Sequence, residues 1–203
     1  MDARDDPHLQ ETCLSSREAY RGHFLRVQRD EVRLPDGGRA IREYIAHPGA
    51  VVVVALLDND FGRVVVERQF RYPVRRVMIE FPAGKIDPGE PPLDCARREL
   101  LEETGYIARE WARAGVMHPV IGYSDEFIEI WFARGLQQQG RRLDEGEFLD
   151  VFEASPDELL DWSRDGRLTD AKTLTALLWL QNVRGGLWGL DWRPQSAGVA
   201  PGS

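Results

Sequence analysis

The sequence has only two cysteines, Cys13 and Cys95, among 203 residues. Two cysteines cannot supply the disulfide framework of a small secreted domain, so we expect a reducing compartment and a cytoplasmic protein. The first residues lack the apolar core of a signal peptide. The longest apolar run, residues 50–57, is too short to cross a bilayer and is expected to form a buried strand.

An excess of basic charge is also lacking. The chain carries 26 Lys and Arg against 34 Asp and Glu, which gives a formal net charge of −8 at pH 7. This balance argues against nucleic acid and against an anionic membrane surface as partners. A negatively charged substrate would have to be held by local arginines or by a metal ion. With 42% apolar residues, the chain can form one domain with an appended element.

The chain does contain an acidic motif with fixed spacing, GKIDPGEPPLDCARRELLEETGY, which covers residues 84–106. Its fixed positions are Gly84, Glu90, Arg98, Glu99, Leu100, Glu102, Glu103, Gly105 and Tyr106. The seven glycines and charged residues in that set would coincide by chance on the order of once in 10⁹ start positions. The motif is therefore not a by-product of acidic composition.

The motif predicts a loop followed by a helix over residues 93–104. Pro91 and Pro92 fix the backbone at the helix start, and Gly105 is a typical C-terminal stop. The apolar residues at positions 93, 96 and 100 share one side, which can pack against a sheet.

Three carboxylates crowd another side of this predicted helix. Glu99 and Glu103 are four positions apart, with Glu102 beside them, and Arg98 can neutralise only part of their charge. One interpretation is a solvated acidic surface. The other is a Mg²⁺ site, because Mg²⁺ prefers oxygen ligands and binds through one or two carboxylates plus substrate phosphates. The complete spacing favours the metal.

The segment before the motif is rich in arginine, with four in residues 68–76. It is either a solvated basic loop or an anion-binding group, since the guanidinium fork binds phosphate oxygens in pairs. After the motif, Ser124, Asp125 and Glu126 form an acidic loop. That loop is either a simple turn or the source of a carboxylate that activates water.

The flanking segments give the domain organisation. Residues 1–48 are expected to be an N-terminal β element with an irregular start of about 15 residues and a hairpin around residues 35–38. So small a sheet is marginal alone and needs the main domain or a second chain to pack on. Residues 49–186 form the main domain, and residues 187–203, rich in Pro, Gly and Ser, form a tail.

Two helices are expected near the end of the main domain. Ser155 begins a capping-box sequence, which predicts a helix to about Ser163. Thr169 is expected to cap a second helix over residues 170–184, which Gly185 ends.

The motif resembles the Nudix box of hydrolases that act on nucleoside diphosphates linked to another moiety. Residues 69–71, residues 80–84, the acidic loop and the small N-terminal sheet are similar to the ADP-ribose pyrophosphatase group. The resemblance implies an α/β class fold, an α/β/α sandwich around a mixed sheet, often with the N-terminal sheets joining two chains into a homodimer. One departure is Tyr106, where the box usually has an aliphatic residue at a packing position.

The resemblance also implies roles for the acidic residues. Glu99 and Glu103 would bind Mg²⁺, or alternatively Mn²⁺, together with the backbone carbonyl of Ala83, and Glu102 would support this metal cluster. The catalytic base varies within the family; Glu126 is the best match here, with Glu102 as the second choice.

Further roles follow from the same resemblance. Glu90 and Arg98 match the pair that orients the loop and the helix. Arg71 matches an arginine that contacts substrate, and Gln69 and Glu80 are the other candidates for substrate binding.

The expected activity is Mg²⁺-dependent hydrolysis of the pyrophosphate bond of a nucleoside diphosphate sugar, with ADP-ribose giving AMP and ribose 5-phosphate. Within enzymes the alternative is another sugar nucleotide such as GDP-mannose, because no residue pattern selects adenine. A different class is a sensor that binds nucleotide sugars without hydrolysis. The intact set of box acids argues against the sensor.

Overall fold

The structure is a computed structural model that describes residues 6–141, 143, 146 and 148–194. The chain divides into two compact units. The first contains the described residues up to Pro48 together with Val120–Glu126. The second contains Gly49–Pro119 and the described residues from Phe127 onwards. Within the described residues, no helix has both the length and the apolar character needed to cross a bilayer.

The first unit is built on a three-stranded antiparallel sheet. Its strands are β1 (Thr12–Arg21), β2 (Arg26–Arg33) and β3 (Arg39–Ile45), in the order β1-β2-β3. The predicted hairpin between β2 and β3 is confirmed. Its turn is closed by Asp36, whose Oδ1 accepts a hydrogen bond from the backbone of Gly38 at 2.8 Å.

The expectation of an irregular start over about 15 residues is wrong from Thr12 onwards, where β1 begins, and residues 1–5 of that stretch lie outside the described residues. All but one residue of β1 are exposed, so no alternation of apolar and polar residues marks it as a strand. It is held instead by backbone pairing with β2 along its length.

The second unit contains the remaining strands and all three α-helices of the described residues. The strands are β4 (Ala50–Ala55), β5 (Val64–Arg71), β6 (Arg76–Glu80), β7 (Ala83–Lys85), β8 (Tyr106–Ile107), β9 (Glu110–Met117), β10 (Ile128–Arg134), β11 (Gln137–Gln138), β12 (Leu149–Ala154) and β13 (Arg193–Pro194). The helices are α1 (Pro92–Glu99), α2 (Pro156–Asp165) and α3 (Ala171–Arg184).

A five-stranded mixed sheet lies at the centre of this unit, in the order β13-β9-β10-β4-β7. Only the β10 and β4 pair is parallel. A second, antiparallel sheet has the order β12-β5-β6, and β11 pairs with β8. The β5 and β6 strands of the second sheet precede the acidic motif in the chain, and β7 begins it.

Strand β4 shows why the sheet has helices on both faces. All of its residues are buried, and successive side chains of a strand point to opposite faces. Val51 and Val53 pack in the core cluster that contains α1, and Val52 and Val54 pack in the cluster that contains α2 and α3. The predicted α/β/α sandwich around a mixed sheet is therefore confirmed.

The helix of the acidic motif differs from the predicted one in its last part. The α-helical hydrogen bonds end at Glu99, and Leu100–Thr104 continue as a π-helical turn with wider spacing. The Thr104 hydroxyl bonds back to the Leu100 carbonyl, and Gly105 ends the turn at φ 75°. The spacing of apolar residues could not reveal this change, because both helix types bury Leu100.

The two later helices match their predictions, with one correction. Ser155 and Glu158 form the predicted capping box of α2. The cap of α3 is Asp170 and not Thr169, because the Asp170 carboxylate accepts the Thr173 backbone N–H at 3.0 Å. The Thr169 hydroxyl instead accepts a hydrogen bond from a side chain of β6.

The segment after α3 was expected to be a tail. Residues 195–203 lie outside the described residues. In the described part, Leu190 and Trp192 pack against the core of the second unit, and β13 pairs with β9. Residues 187–194 therefore belong to the packed structure of the second unit.

Candidate active site

The loop of the acidic motif is tied to α1 by Arg98 and Glu90. The Nε and Nη2 groups of Arg98 donate to the two carboxylate oxygens of Glu90, each at 2.9 Å. The backbone N–H of Asp87 donates to the same carboxylate at 3.0 Å. The hydrogen bonds from Arg98, with that from the backbone of Asp87, lower the pKa of Glu90 to about 2. Glu90 is thus an anion that holds the loop against the helix.

Arg98 also meets two further carboxylates of the motif. Its Nη1 donates to Glu99 at 2.8 Å and to Glu102 at 3.1 Å. Hydrogen bonding to Glu90, together with Glu99 and Glu102, raises the pKa of Arg98 above its ordinary value. One guanidinium therefore faces three carboxylates, and a net negative charge remains.

Glu103 points to the strand that enters the motif. Its Oε2 accepts a hydrogen bond from the backbone N–H of Ala83 at 2.9 Å, and the residue is only 3% exposed. Gly84 is the next residue, and a Cβ placed on it would overlap the carboxylate of Glu99. The Glu99 carboxylate therefore occupies the space that a side chain at position 84 would fill, and any larger residue there would displace it.

The donors around Ala83 and Gly84 fit a hard divalent cation. Glu99 and Glu103 both lie against this short backbone segment, and they offer only oxygen. Among the described residues, no three His, Cys, Asp or Glu side chains converge into a preformed metal site. Mg²⁺ does not need one, because it binds through one or two carboxylates and takes its other ligands from water and substrate phosphate.

The three carboxylates expected from the sequence have different partners in the structure. Arg98 bonds Glu99 and Glu102 through the same Nη1 group, whereas Glu103 accepts from the backbone of Ala83. The guanidinium relieves part of the like-charge repulsion between Glu99 and Glu102.

The four arginines before the motif have different neighbours. Arg68 pairs with Asp150 at 3.0 Å, and the guanidinium of Arg75 lies over its neighbour Tyr72. The Arg76 guanidinium donates to the Thr169 hydroxyl at 2.5 Å. These three arginines therefore make contacts outside the acidic motif.

Arg71 is the arginine that approaches the acidic motif. Its Nε and Nη2 donate to the two oxygens of Glu80 at 2.7 and 2.8 Å. The hydrogen bonds to Glu80 raise the pKa of Arg71, and the charges of Glu67 and Glu103 act in the same direction. The Arg71 side chain is 40% exposed, so solvent reaches part of it.

Glu80 is a buried carboxylate with two cationic neighbours, Arg71 and Lys172. Burial alone raises the pKa of Glu80, but the hydrogen bonds and charges of Arg71 and Lys172 outweigh it, and the pKa lies below its ordinary value. Glu80 is therefore ionised at neutral pH. Gln69, the third candidate for substrate binding, lies on β5 opposite Met78 of β6.

Two residues near this site were missed by the sequence analysis. Glu67 is fully buried on β5 and stands opposite Glu80 in the strand register. An acid that directly follows the apolar run of residues 64–66 was a usable signal. Lys172 gave no such signal, because only the fold brings α3 to β6.

Glu126 belongs to the first unit, at the end of the Val120–Glu126 loop. Its backbone N–H donates to the Ser124 hydroxyl at 3.1 Å, and its carboxylate lies 3.8 Å from Nε2 of His47. The His47 backbone N–H donates to the Asp125 carboxylate at 2.7 Å. The loop is therefore fastened to the segment after β3, and the role of Glu126 as a base stays a prediction.

Tyr106, the departure from the usual box, is a packing residue in this structure. It is half-buried against the core cluster that contains Cys95 and Leu100. Its backbone N–H donates to the Thr104 hydroxyl at 3.2 Å. The aromatic ring is accommodated behind the π-helical turn.

Comparison with protein families agrees with this arrangement. The family model described as the NUDIX domain matches residues 46–177. The chain belongs to the Nudix hydrolase family. A second model, the nucleoside diphosphate sugar hydrolase N-terminal domain, matches residues 11–45, which include all three strands of the first unit.

This Nudix hydrolase is similar to several named proteins. It is 37% identical to the methanol dehydrogenase activator of Bacillus methanolicus and 35% identical to the ADP-ribose pyrophosphatase of Bacillus subtilis. Each match covers 85% of this chain and 94% of the relative. The GDP-mannose pyrophosphatase of Cronobacter sakazakii is 31% identical over 66% of this chain and 74% of its own.

A solved structure supports the fold. The crystal structure of an ADP compounds hydrolase superposes with a TM-score of 0.78, covering 88% of this chain and 96% of that one. The sequences are 24% identical, so this likeness shows the fold alone.

Proposed function

We propose that this Nudix hydrolase cleaves the pyrophosphate bond of a nucleoside diphosphate sugar in a Mg²⁺-dependent reaction, with ADP-ribose as the substrate. The products would be AMP and ribose 5-phosphate. The observation that carries the proposal is the placement of Glu99 and Glu103 against the backbone of Ala83 and Gly84. The match of the first unit to the N-terminal domain of nucleoside diphosphate sugar hydrolases supports the substrate class.

The choice of ADP-ribose rests on similarity and on charge. The match to the ADP-ribose pyrophosphatase of Bacillus subtilis covers 94% of that protein and 85% of this chain. A diphosphate needs positive groups, and Arg71 has a partly exposed side chain whose charge interacts with Glu103 of the motif. Arg71 would bind one phosphate while the oxygen donors of the box would hold the metal ion at the other.

The protein side of the reaction can be assigned to named groups. Glu99, Glu103 and the Ala83 carbonyl would hold the metal ion, which when bound neutralises phosphate oxygens and lowers the pKa of a water molecule. Arg98 would keep Glu99 and Glu102 in place, and Glu90 would keep Arg98 in place.

A carboxylate would accept the proton of the attacking water. We propose Glu126 for this base, with Glu102 as the alternative. The oxygen of water forms a bond to one phosphorus in line with the bridging oxygen, and that bridging oxygen leaves with the other phosphate. Both products then carry a terminal phosphate.

The test is release of AMP from ADP-ribose by the purified chain with Mg²⁺. Glu99→Gln and Glu103→Gln should each lower kcat by at least about 100-fold, since each removes a charged oxygen donor. Glu110→Gln is the matched control, because Glu110 is also paired with an arginine but lies away from the motif on β9. Full activity in both box variants would contradict the metal assignment.

Another sugar nucleotide is the second candidate, and the similarity to a GDP-mannose pyrophosphatase favours it. A panel of sugar nucleotides ranked by kcat/KM separates the two. If ADP-ribose is among the poorest substrates and GDP-mannose among the best, the substrate assignment changes. Tight ADP-ribose binding without turnover under both Mg²⁺ and Mn²⁺ would instead identify a sensor.

We also propose that the chain forms a homodimer through its N-terminal sheet. A three-stranded sheet with mostly exposed strands is marginal as an isolated element. Exposed apolar side chains on this unit, among them Tyr20 and Ile41, give it a surface to bury. Analytical ultracentrifugation at micromolar concentration should give a dimer, and a monomer would contradict this proposal.

A further inference from the structure

The buried carboxylate of Glu80 joins two parts of the second unit that are far apart in sequence. Arg71 on β5 bonds both of its oxygens, and Lys172 on the first turn of α3 bonds Oε2. Glu80 is 1% exposed and Lys172 has a side chain that is 14% exposed. Of the three, only Arg71 reaches solvent to a large extent.

We propose that Lys172 is a positioning residue for substrate binding, which acts on Arg71 through the carboxylate of Glu80. This rests on the proposed function, in which Arg71 binds a phosphate of the substrate. Lys172 lies outside the acidic motif, 92 positions after Glu80 in the sequence.

The argument begins with charge. If Arg71 were the only cation beside Glu80, the buried carboxylate would neutralise its guanidinium almost completely. Lys172 adds a second positive charge beside Glu80, part of which Asp170 balances, so the carboxylate cancels less of the positive charge of Arg71. Arg71 and Lys172 together fix the Glu80 side chain. The two hydrogen bonds between Arg71 and Glu80 in turn fix the plane of the guanidinium.

Lys172 itself is held in place by the cap of α3. Asp170 accepts a hydrogen bond from Lys172 Nζ at 3.0 Å, and also from the Thr173 hydroxyl at 2.6 Å. The Thr173 hydroxyl accepts the backbone N–H of Phe81 at 3.1 Å, one residue after Glu80. The N-terminal turn of α3 thus fixes the strand end and the lysine together.

The residue type fits this role. The chain has only two lysines among its 26 basic residues, so arginine is the usual cation here. At Glu80 the fork of Arg71 already engages both oxygens, and a second fork would compete for them. A compact ammonium can add charge at one oxygen without displacing Arg71.

The test compares kcat and KM of Lys172→Met and Lys172→Gln with those of the wild type. Both variants should raise KM about tenfold while kcat changes less than about threefold, because the lost effect is on substrate binding. Lys172→Arg should restore part of the loss by restoring the cation. Arg184→Ala is the matched control, since it removes the Arg184 to Asp157 ion pair at the other end of α3.

A double-mutant cycle with Arg71→Gln decides whether the effect passes through Arg71. In the Arg71→Gln background, Lys172→Met should have almost no further effect on KM. Additive effects would overturn the proposal, as would an unchanged KM in Lys172→Met. Failure of both Lys172→Met and Lys172→Gln to fold would also overturn it, because the lysine would then serve stability.

The kinetics are taken on the sugar nucleotide that the wild-type enzyme cleaves best in the panel. A wild type that prefers another diphosphate would refute ADP-ribose as the substrate and leave the test of Lys172 intact. If the wild type cleaves ADP-ribose and Lys172→Met has the same KM as the wild type, only the inference on Lys172 is refuted.

Discussion

The ion pair between Glu90 and Arg98 should make the stability of this protein depend on pH in the acid range. The pKa of Glu90 falls from its ordinary value of 4.5 to about 2 in the folded chain, chiefly through hydrogen bonds from Arg98. A lowered pKa means that the stabilisation is fully present above pH 4.5 and is lost as pH falls towards 2. Glu90→Gln removes this contribution.

The size of the effect follows from the same change in pKa. A fall from 4.5 to about 2 corresponds to about 3.4 kcal/mol if solvent is ignored. The side chains of Arg98 and Glu90 are 29% and 15% exposed, and screening by solvent reduces the figure to about 1.5 kcal/mol. Roughly 0.6 kcal/mol of that should be lost by pH 3.5, where an unfolded glutamate is mostly protonated.

Urea denaturation of the wild type and of Glu90→Gln at pH 7 and pH 3.5 measures this contribution. The difference in the free energy of unfolding should be about 1.5 kcal/mol at pH 7 and roughly 0.9 kcal/mol at pH 3.5. Glu110→Gln is the control, because Glu110 makes a similar pair with Arg134 on a more exposed surface. An equal difference at both pH values would refute the assigned pKa of Glu90, and no difference at pH 7 would refute the stabilising role of the pair.

Three further changes probe the site. Gly84→Ala should lower kcat roughly 10- to 100-fold with little change in Tm, because the added Cβ displaces the flexible end of Glu99. An unchanged kcat would contradict the close packing of Glu99 against Gly84. Glu126→Gln should lower kcat at least about 100-fold, because the proposed base is lost. A near-normal kcat would leave Glu126 only its contact with His47. Without substrate, Mg²⁺ at 100 times its Kd for the wild type should raise the Tm of the wild type by roughly 5–10 °C in a thermal melt. The same Mg²⁺ concentration should leave the Tm of Glu103→Gln unchanged.

The parts of the site that the sequence predicted are those that depend on local spacing. Glu90 and Arg98 are eight positions apart, and one turn and one helix bring them into contact. Glu99 and Arg98 are neighbours on the same helix. For such groups the motif and helix geometry together determine the contacts.

The parts that the sequence did not predict depend on the fold. Lys172 reaches Glu80 only because α3 packs at the end of β6, and Glu67 meets Glu80 only through the register of β5 and β6. The strand β1 was missed for a related reason: its partner, and not its own pattern, makes it a strand. Local propensity cannot carry information about pairing at this distance.

The acidic residues of the motif are only partly balanced by basic charge. Glu90, Glu99, Glu102 and Glu103 have a formal charge of −4 and Arg98 of +1, which sums to −3. The arginine is placed where it bonds three of the four, and the fourth is bonded by a backbone N–H. The repulsion is therefore reduced but not removed. A divalent ion would reduce the repulsion further. Because Arg98 is also bonded to Glu90, Glu99 can bind that ion without leaving Arg98 unpaired.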